Sequence, residues 1–130
     1  MTTVLMDSHV VHWLADEPER LSPAAAAAIA EADELAVAAI SWVELAWLGA
    51  RERLILPIPL RTWLEQLARD VRTVPLTPAI AARAAELPRS FPRDPSDRLI
   101  YASAIEHGWR LVTKDLQLRD YDREGAITIW

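Results

Sequence analysis

Short apolar runs alternate with longer helical stretches along the whole chain. Strands are predicted at 4–6, 35–40, 73–76, 109–113 and 126–130. These runs are nearly continuous in apolar residues, which is typical of parallel strands that are buried on both faces. A regular alternation of strands and helices favours a parallel sheet between two helical layers. The pattern therefore predicts a three-layer α/β/α fold with a central, mostly parallel sheet.

Capping signals set the predicted helix boundaries. Ser8, Ser22, Ser41 and Asp94 are predicted as N-caps, and Gly108 ends the helix that begins after Asp94. A further helix is predicted to start at the Thr-Pro pair at 77–78 and another at residue 60. The predicted helices end near residues 14, 32, 53, 70, 87 and 107. The stretch 88–95, with its three prolines, is predicted to be a loop.

Four carboxylates follow predicted strands or open predicted helices, namely Asp7, Glu44, Asp97 and Asp115. In an open α/β sheet these positions lie on one rim, where such folds bind ligands. Acids that converge there repel one another unless cations neutralise them. The sequence thus predicts a site for Mg²⁺ or Mn²⁺, which prefer oxygen ligands.

Each acid also has an ordinary structural interpretation. Ser41 and Glu44 have the spacing of a capping box, and Asp115 is typical of a residue that opens a turn. Asp7 precedes a helix, where an acid is stabilised by the helix dipole. Asp94 is the expected N-cap of its helix, which leaves Asp97 for the site, with Asp94 close beside it.

Other polar side chains near the acids are candidates for supporting roles. Thr113 precedes the fourth acid and could face the same rim. Arg98 could balance the acidic charge or bind a phosphate, and a surface ion pair is its ordinary interpretation. His9 and His12 are one helical turn apart and could share a metal or act as an acid/base pair. Adjacent turns of one helix do not easily place two imidazoles on opposite sides of a phosphate, so partly buried or surface histidines are expected. Zinc would need further nitrogen ligands, and only His107 remains.

Composition narrows the functional classes. The chain has 130 residues and is expected to form a single domain over 1–130. It has no cysteine, no signal-like start and no apolar run of membrane-spanning length, so a cytoplasmic protein without a membrane contact is expected. The net charge of −5 argues against a broad basic surface, although bound cations would add positive charge. Six tryptophans exceed what a small core holds, which predicts an exposed apolar groove for a partner.

The ordered segments MDSHVVHWL, AISWVELA, FPRDPSDRLIYASAIEHG, LVTKD and ITIW resemble the PIN-domain ribonucleases, and among them the VapC-type toxins of bacterial toxin–antitoxin modules. The resemblance implies a PIN-like fold and an Mg²⁺- or Mn²⁺-dependent ribonuclease. It implies that Asp7, Glu44, Asp97 and Asp115 are the catalytic and metal-binding acids, with Asp94 and Ser8 beside them. The family usually has Thr where this chain has Ser8, and both carry a hydroxyl.

The resemblance also implies substrates and partners. The substrate would be RNA, for example a tRNA or an rRNA, cleaved by a metal-activated water. A cognate antitoxin would neutralise the activity, and a homodimer is expected.

Two functions from other classes remain open at this point. A receiver-like signalling domain would also have an acidic Mg²⁺ pocket, but it needs an acid after the central strand, where this chain reads TVPLTPA. A PIN-like fold could instead serve as a non-catalytic binding module.

Overall fold

The computed structural model describes residues 1–51, 55–122 and 125–130. The strands are β1 (Thr3–Met6), β2 (Glu34–Ala38), β3 (Arg72–Val74), β4 (Arg110–Val112) and β5 (Thr128–Ile129). The helices are α1 (Ser8–Asp16), α2 (Pro23–Glu31), α3 (Ala39–Ala50), α4 (Leu60–Ala68), α5 (Pro78–Glu86), α6 (Pro95–His107) and α7 (Leu116–Tyr121), with a 3₁₀ turn at Pro18–Arg20. None of the helices in these ranges is long and apolar enough to cross a membrane.

The strands form one sheet in the order β3-β2-β1-β4-β5, and every neighbouring pair is parallel. From β1 the chain first builds outward through β2 and β3, and then returns to the other side of β1 to add β4 and β5. The order reverses between β1 and β4, which opens a crevice at the carboxyl ends of these two strands. This order differs from the 2-1-3-4-5 order of receiver-type folds, so the receiver alternative is wrong.

The side chains of successive strand residues are buried on opposite faces of the sheet. Leu5 packs with Ile100 and Phe91 on one face, whereas Val4 and Met6 belong to a second buried cluster on the other face. The second cluster takes side chains from the helices α1 to α4, and the first takes them mainly from α5, α6 and α7. The predicted three-layer α/β/α architecture is therefore confirmed.

Two predicted helix starts are wrong. The helix α1 is capped by Asp7, with Ser8 as its first helical residue. The helix α3 begins at Ala39 with no side-chain cap, and Ser41 lies inside it, fully buried. The apolar run 35–40 was interpreted as one strand, but its last two residues already belong to the helix, because a buried helix and a buried strand look alike over six residues. The end predicted at residue 53 lies outside the described ranges.

A further helix, α7, was not predicted. Asp115 was interpreted as a turn residue, yet its Oδ1 accepts hydrogen bonds from the backbone N–H groups of Gln117 and Leu118 and so caps this short helix. The same local bonds open an isolated turn and a helix, and the sequence does not distinguish the two over six residues.

The loop before α6 is held by Arg98. The guanidinium donates to the backbone carbonyls of five residues, which are Ala84, Leu87, Pro88, Phe91 and Pro92. Its carbon also lies 5.5 Å from the ring centroid of Phe91. All five N–H donors of an arginine are thus engaged with the backbone. The expectation that Arg98 balances the acids or binds a phosphate is corrected: it fixes the loop that carries Asp94.

Replacing Arg98 should therefore cost folding stability. We expect Arg98→Ala to lower the free energy of unfolding by about 2–3 kcal/mol, because several backbone carbonyls lose a charged donor. Arg93→Ala is the matched control, since Arg93 is exposed in the same loop, and it should change stability by less than about 0.5 kcal/mol. Urea unfolding of both variants measures the difference, and equal effects would contradict the assigned role.

Candidate active site

Asp7 and Thr113 lie at the crevice between β1 and β4. Asp7 follows the last residue of β1, and its backbone N–H donates to the carbonyl of Val112 at the end of β4. The hydroxyl of Thr113 donates to Oδ2 of Asp7 at 2.6 Å, and the backbone N–H of Ser8 donates to Oδ1 at 2.8 Å. Thr113 is completely buried and also accepts from the backbone N–H of Asp115 at 3.1 Å. One hydroxyl group therefore connects the first and the last of the four predicted acids.

Glu44 joins the crevice from α3. The buried hydroxyl of Ser8 donates to its Oε1 at 2.6 Å. Glu44 does not form the capping box predicted with Ser41, because α3 begins at Ala39 and Glu44 lies in its second turn. Its bonding partner comes from α1 instead. The structure thus brings Glu44 next to Asp7 through Ser8, a residue adjacent to Asp7 in the chain.

The acids of α6 complete the group. Asp94 caps this helix, and its Oδ1 accepts from the backbone N–H groups of Ser96 at 2.8 Å and Asp97 at 3.3 Å. The predicted role of Asp94 as N-cap is thereby confirmed, and Asp97, three residues later, lines a cavity with the other aspartates. Asp115 caps α7 in the same way, through one carboxylate oxygen.

An open cavity of about 670 Å³ contains these groups. Its acidic lining residues are Asp7, Asp94, Asp97 and Asp115. A smaller cavity that adjoins it contains Glu44 and Ser8. His9 lines both cavities, and Lys114, the only lysine of the chain, lines the larger one. Sequence reasoning gave His9 no role of its own, because nothing in its spacing separates it from a surface histidine.

The pKa values of the acids report their crowding. Burial, and after it the charges of Asp115, Asp94, Asp7 and Glu44 in that order, together raise the pKa of Asp97 to about 7. Burial likewise raises the pKa of Asp7, against the lowering effect of its bonds from Thr113 and Ser8. Burial raises the pKa of Glu44 as well, and the Ser8 hydroxyl opposes this. The acids therefore converge closely enough to disfavour one another's ionisation.

The donor set fits a hard divalent cation. The acids supply oxygen ligands alone, and no cysteine is present to favour a softer metal. In the part of the chain that the structure describes, no three Asp, Glu or His side chains stand close enough to hold one ion together. A bound cation would offset the mutual repulsion of these acids.

The two neighbouring histidines do not face one another across the cavity. His9 is exposed at the cavity, whereas His12 is buried, with Nδ1 3.0 Å from a carboxylate oxygen of Asp16 and Nε2 3.3 Å from one of Glu17. Its ring also contacts Trp63 edge-on, at 5.8 Å between centroids. With both ring nitrogens directed at carboxylates, His12 is placed for neither an acid/base pair nor a zinc site with His9.

The raised pKa of Asp97 predicts a gain in stability when its charge is removed. A carboxyl group whose pKa is higher in the folded protein than in the unfolded chain lowers stability as pH rises from about 4 to about 7. At pH 8 without metal, Asp97→Asn should therefore stabilise the protein by about 1 kcal/mol, a value reduced for its partial exposure. The gain should disappear near pH 4, and thermal unfolding in chelator measures it.

Asp120→Asn serves as the control, since Asp120 is an exposed acid of α7 that does not line the acidic cavity. Its effect on stability should be small and nearly independent of pH. A destabilised Asp97→Asn variant at pH 8 would contradict the convergence of the acids.

Comparison with known proteins gives the family. The pattern of the PIN domain matches residues 4–124. The chain is 64% identical to Ribonuclease VapC22 of Mycobacterium tuberculosis (strain ATCC 25618 / H37Rv) over 130 residues, covering 100% of this chain and 100% of that relative. PIN-domain VapC ribonucleases generally depend on divalent metal.

Solved structures share the fold. A toxin–antitoxin complex from Klebsiella pneumoniae has a chain with a TM-score of 0.66 and 18% identity, covering 86% of both chains. VapBC2 from Rickettsia felis, bound to a DNA fragment from its promoter, gives a TM-score of 0.70 at 12% identity, covering 99% of this chain and 100% of the other. At identities this low, the structural similarity shows a shared fold and nothing further. Together with the matched pattern and the full-length relative, they lead to one conclusion: the chain belongs to the PIN domain family.

Proposed function

We propose that this chain is an endoribonuclease toxin that cleaves RNA phosphodiester bonds with a divalent metal and is neutralised by a cognate antitoxin. The full-length relative at 64% identity is a ribonuclease of the VapC type. At this identity over the whole of both chains, a shared reaction is the expected outcome. The proposal treats residues 1–130 as one catalytic domain.

The observation that carries the proposal is the group of acids at the crevice between β1 and β4. Asp7, Asp94, Asp97 and Asp115 line one cavity, and Ser8 connects Glu44 to Asp7 through two hydrogen bonds. A fold that buries mutually repelling carboxylates at its ligand-binding rim loses stability, unless those groups serve to bind cations. A non-catalytic binding module would not need this arrangement.

The acids have separate roles in the proposal. Asp7, Asp97 and Asp115 would hold one Mg²⁺ or Mn²⁺ ion, and Glu44 would supply a further carboxylate beside them. A bound ion of this kind supplies a water of lowered pKa and stabilises the charge that develops on the phosphate oxygens. Thr113 holds Asp7 and the backbone of Asp115 in place through its two hydrogen bonds.

The remaining polar residues orient the ligands. The hydroxyl of Ser8 fixes the carboxylate of Glu44, and its backbone N–H fixes that of Asp7. Lys114 lines the acidic cavity, where it can attract the phosphate backbone. Asp94 positions Asp97 by capping their common helix.

A groove that shares no lining residue with the acidic cavity offers a place for the antitoxin. It lies between α1 and α4, has a volume of about 360 Å³, and includes Leu14, Trp63 and Leu67, with Asp16 and Asp70 also in its lining. The structure from Klebsiella pneumoniae that contains a chain of this fold is a toxin–antitoxin complex. An amphipathic segment with apolar and basic side chains would suit such a groove. A homodimer, a tRNA or rRNA target and a cytoplasmic location remain predictions.

The proposal predicts that RNA cleavage requires a divalent metal and that the loss of any one of the metal-binding acids abolishes most of it. Purified protein should cut single-stranded RNA with Mg²⁺ or Mn²⁺ and lose the activity in EDTA. Asp7→Asn and Asp97→Asn should each lower the rate by about 100-fold or more, because each removes a ligand charge. Asp120→Asn should retain the wild-type rate. Circular dichroism must show that the inactive variants are folded, and cleavage that survives EDTA would contradict the proposal.

The ends of the products identify the nucleophile. Attack by water leaves a 5′-phosphate and a 3′-hydroxyl, because the 2′-hydroxyl takes no part. Attack by the 2′-hydroxyl, assisted by histidines, leaves a 2′,3′-cyclic phosphate instead. End-group analysis of the cut RNA should show a 5′-phosphate and a 3′-hydroxyl. A cyclic phosphate would contradict the role of the acids in catalysis.

A further inference from the structure

A second cavity beside the acids has a different character. It has a volume of about 220 Å³ and is lined by Ser8, His9, Glu44, Trp47, Leu48 and Arg51. Ser8 and Glu44 connect it to the acidic group through their 2.6 Å hydrogen bond, and His9 lines both cavities. Any substrate whose phosphate reaches the acids therefore has its neighbouring atoms within reach of this cavity.

Trp47 is the most unusual residue of this cavity. Its side chain is 59% exposed, although an indole ring is normally at least half buried in a soluble domain. It lies one turn after Glu44 on α3, so the two residues share a helix face. Neither of the two buried clusters includes Trp47. Packing of the described core therefore does not account for this ring at this position.

Arg51 lies against the same ring. Its guanidinium carbon is over the indole of Trp47, 4.8 Å from the ring centroid. This contact pairs a planar cation with an aromatic surface, which is the combination that binds nucleobases and the adjacent phosphate in single-stranded nucleic acids. The positive charge of Arg51 also complements an RNA backbone that approaches an otherwise acidic crevice.

The size of the cavity suits one ring system. Sites for whole small molecules usually have volumes of about 300–1,000 Å³, and this cavity is smaller. A purine or pyrimidine base is flat, apolar on both faces and polar at its edge. His9 and Glu44 provide polar groups at the cavity, while Trp47 and Leu48 provide apolar surface.

We infer that Trp47 and Arg51 form a stacking site for one base of the RNA, next to the phosphate that is cleaved. This inference rests on the proposed function and adds to it a determinant of substrate position. The base lies against the Trp47–Arg51 pair while its phosphate lies at the acids. Stacking accepts every base in principle, so His9 and Glu44 at the edge of the cavity would provide any preference among bases.

The experiment uses the full chain and a synthetic RNA. A mixed-sequence single-stranded RNA is cut by the wild-type protein with Mn²⁺, and the cut is mapped. A short oligonucleotide that spans the cut is then made intact and in versions that each lack one base near the cut. We expect Trp47→Ala to lower kcat/KM on the intact RNA by about 10-fold to 100-fold, which is the effect of losing one stacked base.

The abasic versions give the decisive comparison. One abasic RNA, which lacks a base within two nucleotides of the cut, should remove the difference between the two proteins. On this RNA wild type and Trp47→Ala should have equal kcat/KM, because the base that stacks on the indole ring is already absent. Trp47→Phe should retain most of the activity on intact RNA. Val43→Ala is the matched control, since Val43 is 46% exposed on the same helix and does not line the cavity, and it should behave as wild type.

Other outcomes overturn the inference in distinguishable ways. If Trp47→Ala loses the same factor on every RNA, or loses nothing on intact RNA, no base stacks on this ring. If Trp47→Ala cleaves as wild type but no longer copurifies with the antitoxin, the ring belongs to the protein partner. If the wild-type protein cuts no RNA with either metal, the proposed function fails and this inference fails with it.

Discussion

Mutual repulsion among the carboxylates at the crevice between β1 and β4 is the constraint that organises the surrounding structure. Burial and neighbouring negative charge raise the pKa of Asp97 to about 7. Each acid brought to this rim costs free energy in the absence of a cation. The neighbouring polar groups are arranged to offset that cost, and this arrangement explains why several buried hydroxyls and helix starts occur at the same place.

The offset comes from hydrogen bonds that favour the charged carboxylates. Asp7 accepts from Thr113 and from the first N–H of α1, and Glu44 accepts from Ser8. Asp94 and Asp115 accept from the N–H groups that open α6 and α7. The positive ends of these helices thus point toward the acidic cavity. Asp97 receives the least help of this kind, in agreement with its large shift in pKa.

The convergence of the acids could be predicted from the sequence because it depends only on topology. Strands that read as buried and parallel place the residues at their carboxyl ends on one rim, whatever the details of packing. The cap assigned to Asp94 could be predicted because capping bonds are local in sequence. The hydrogen-bond partners of Glu44 and Arg98 could not be predicted, since they come from other elements. Ser8 is 36 positions away from Glu44, and Arg98 reaches back 14 positions to Ala84.

The same distinction explains the remaining errors. Ser41 was predicted as a cap from a pattern that a buried helix also satisfies, and α7 is too short for periodicity to reveal it. Trp47 and Arg51 are four positions apart, so a contact between them on one helix is compatible with the sequence. An exposed aromatic ring, however, is recognised only when its burial is known. Local signals therefore left the start of α3 and the existence of α7 undecided, and contacts between elements required the fold.

Metal binding by the acids at the crevice can be measured through the thermal stability of the metal-free protein. Thermal unfolding should be followed with and without millimolar Mn²⁺ at pH 8 and at pH 5. If the acids converge to bind a cation, Mn²⁺ raises the melting temperature at pH 8, because it binds only the folded chain. The rise should be smaller at pH 5, where Asp97 with its pKa of about 7 is protonated. A melting temperature that is indifferent to Mn²⁺ at pH 8 would contradict the account.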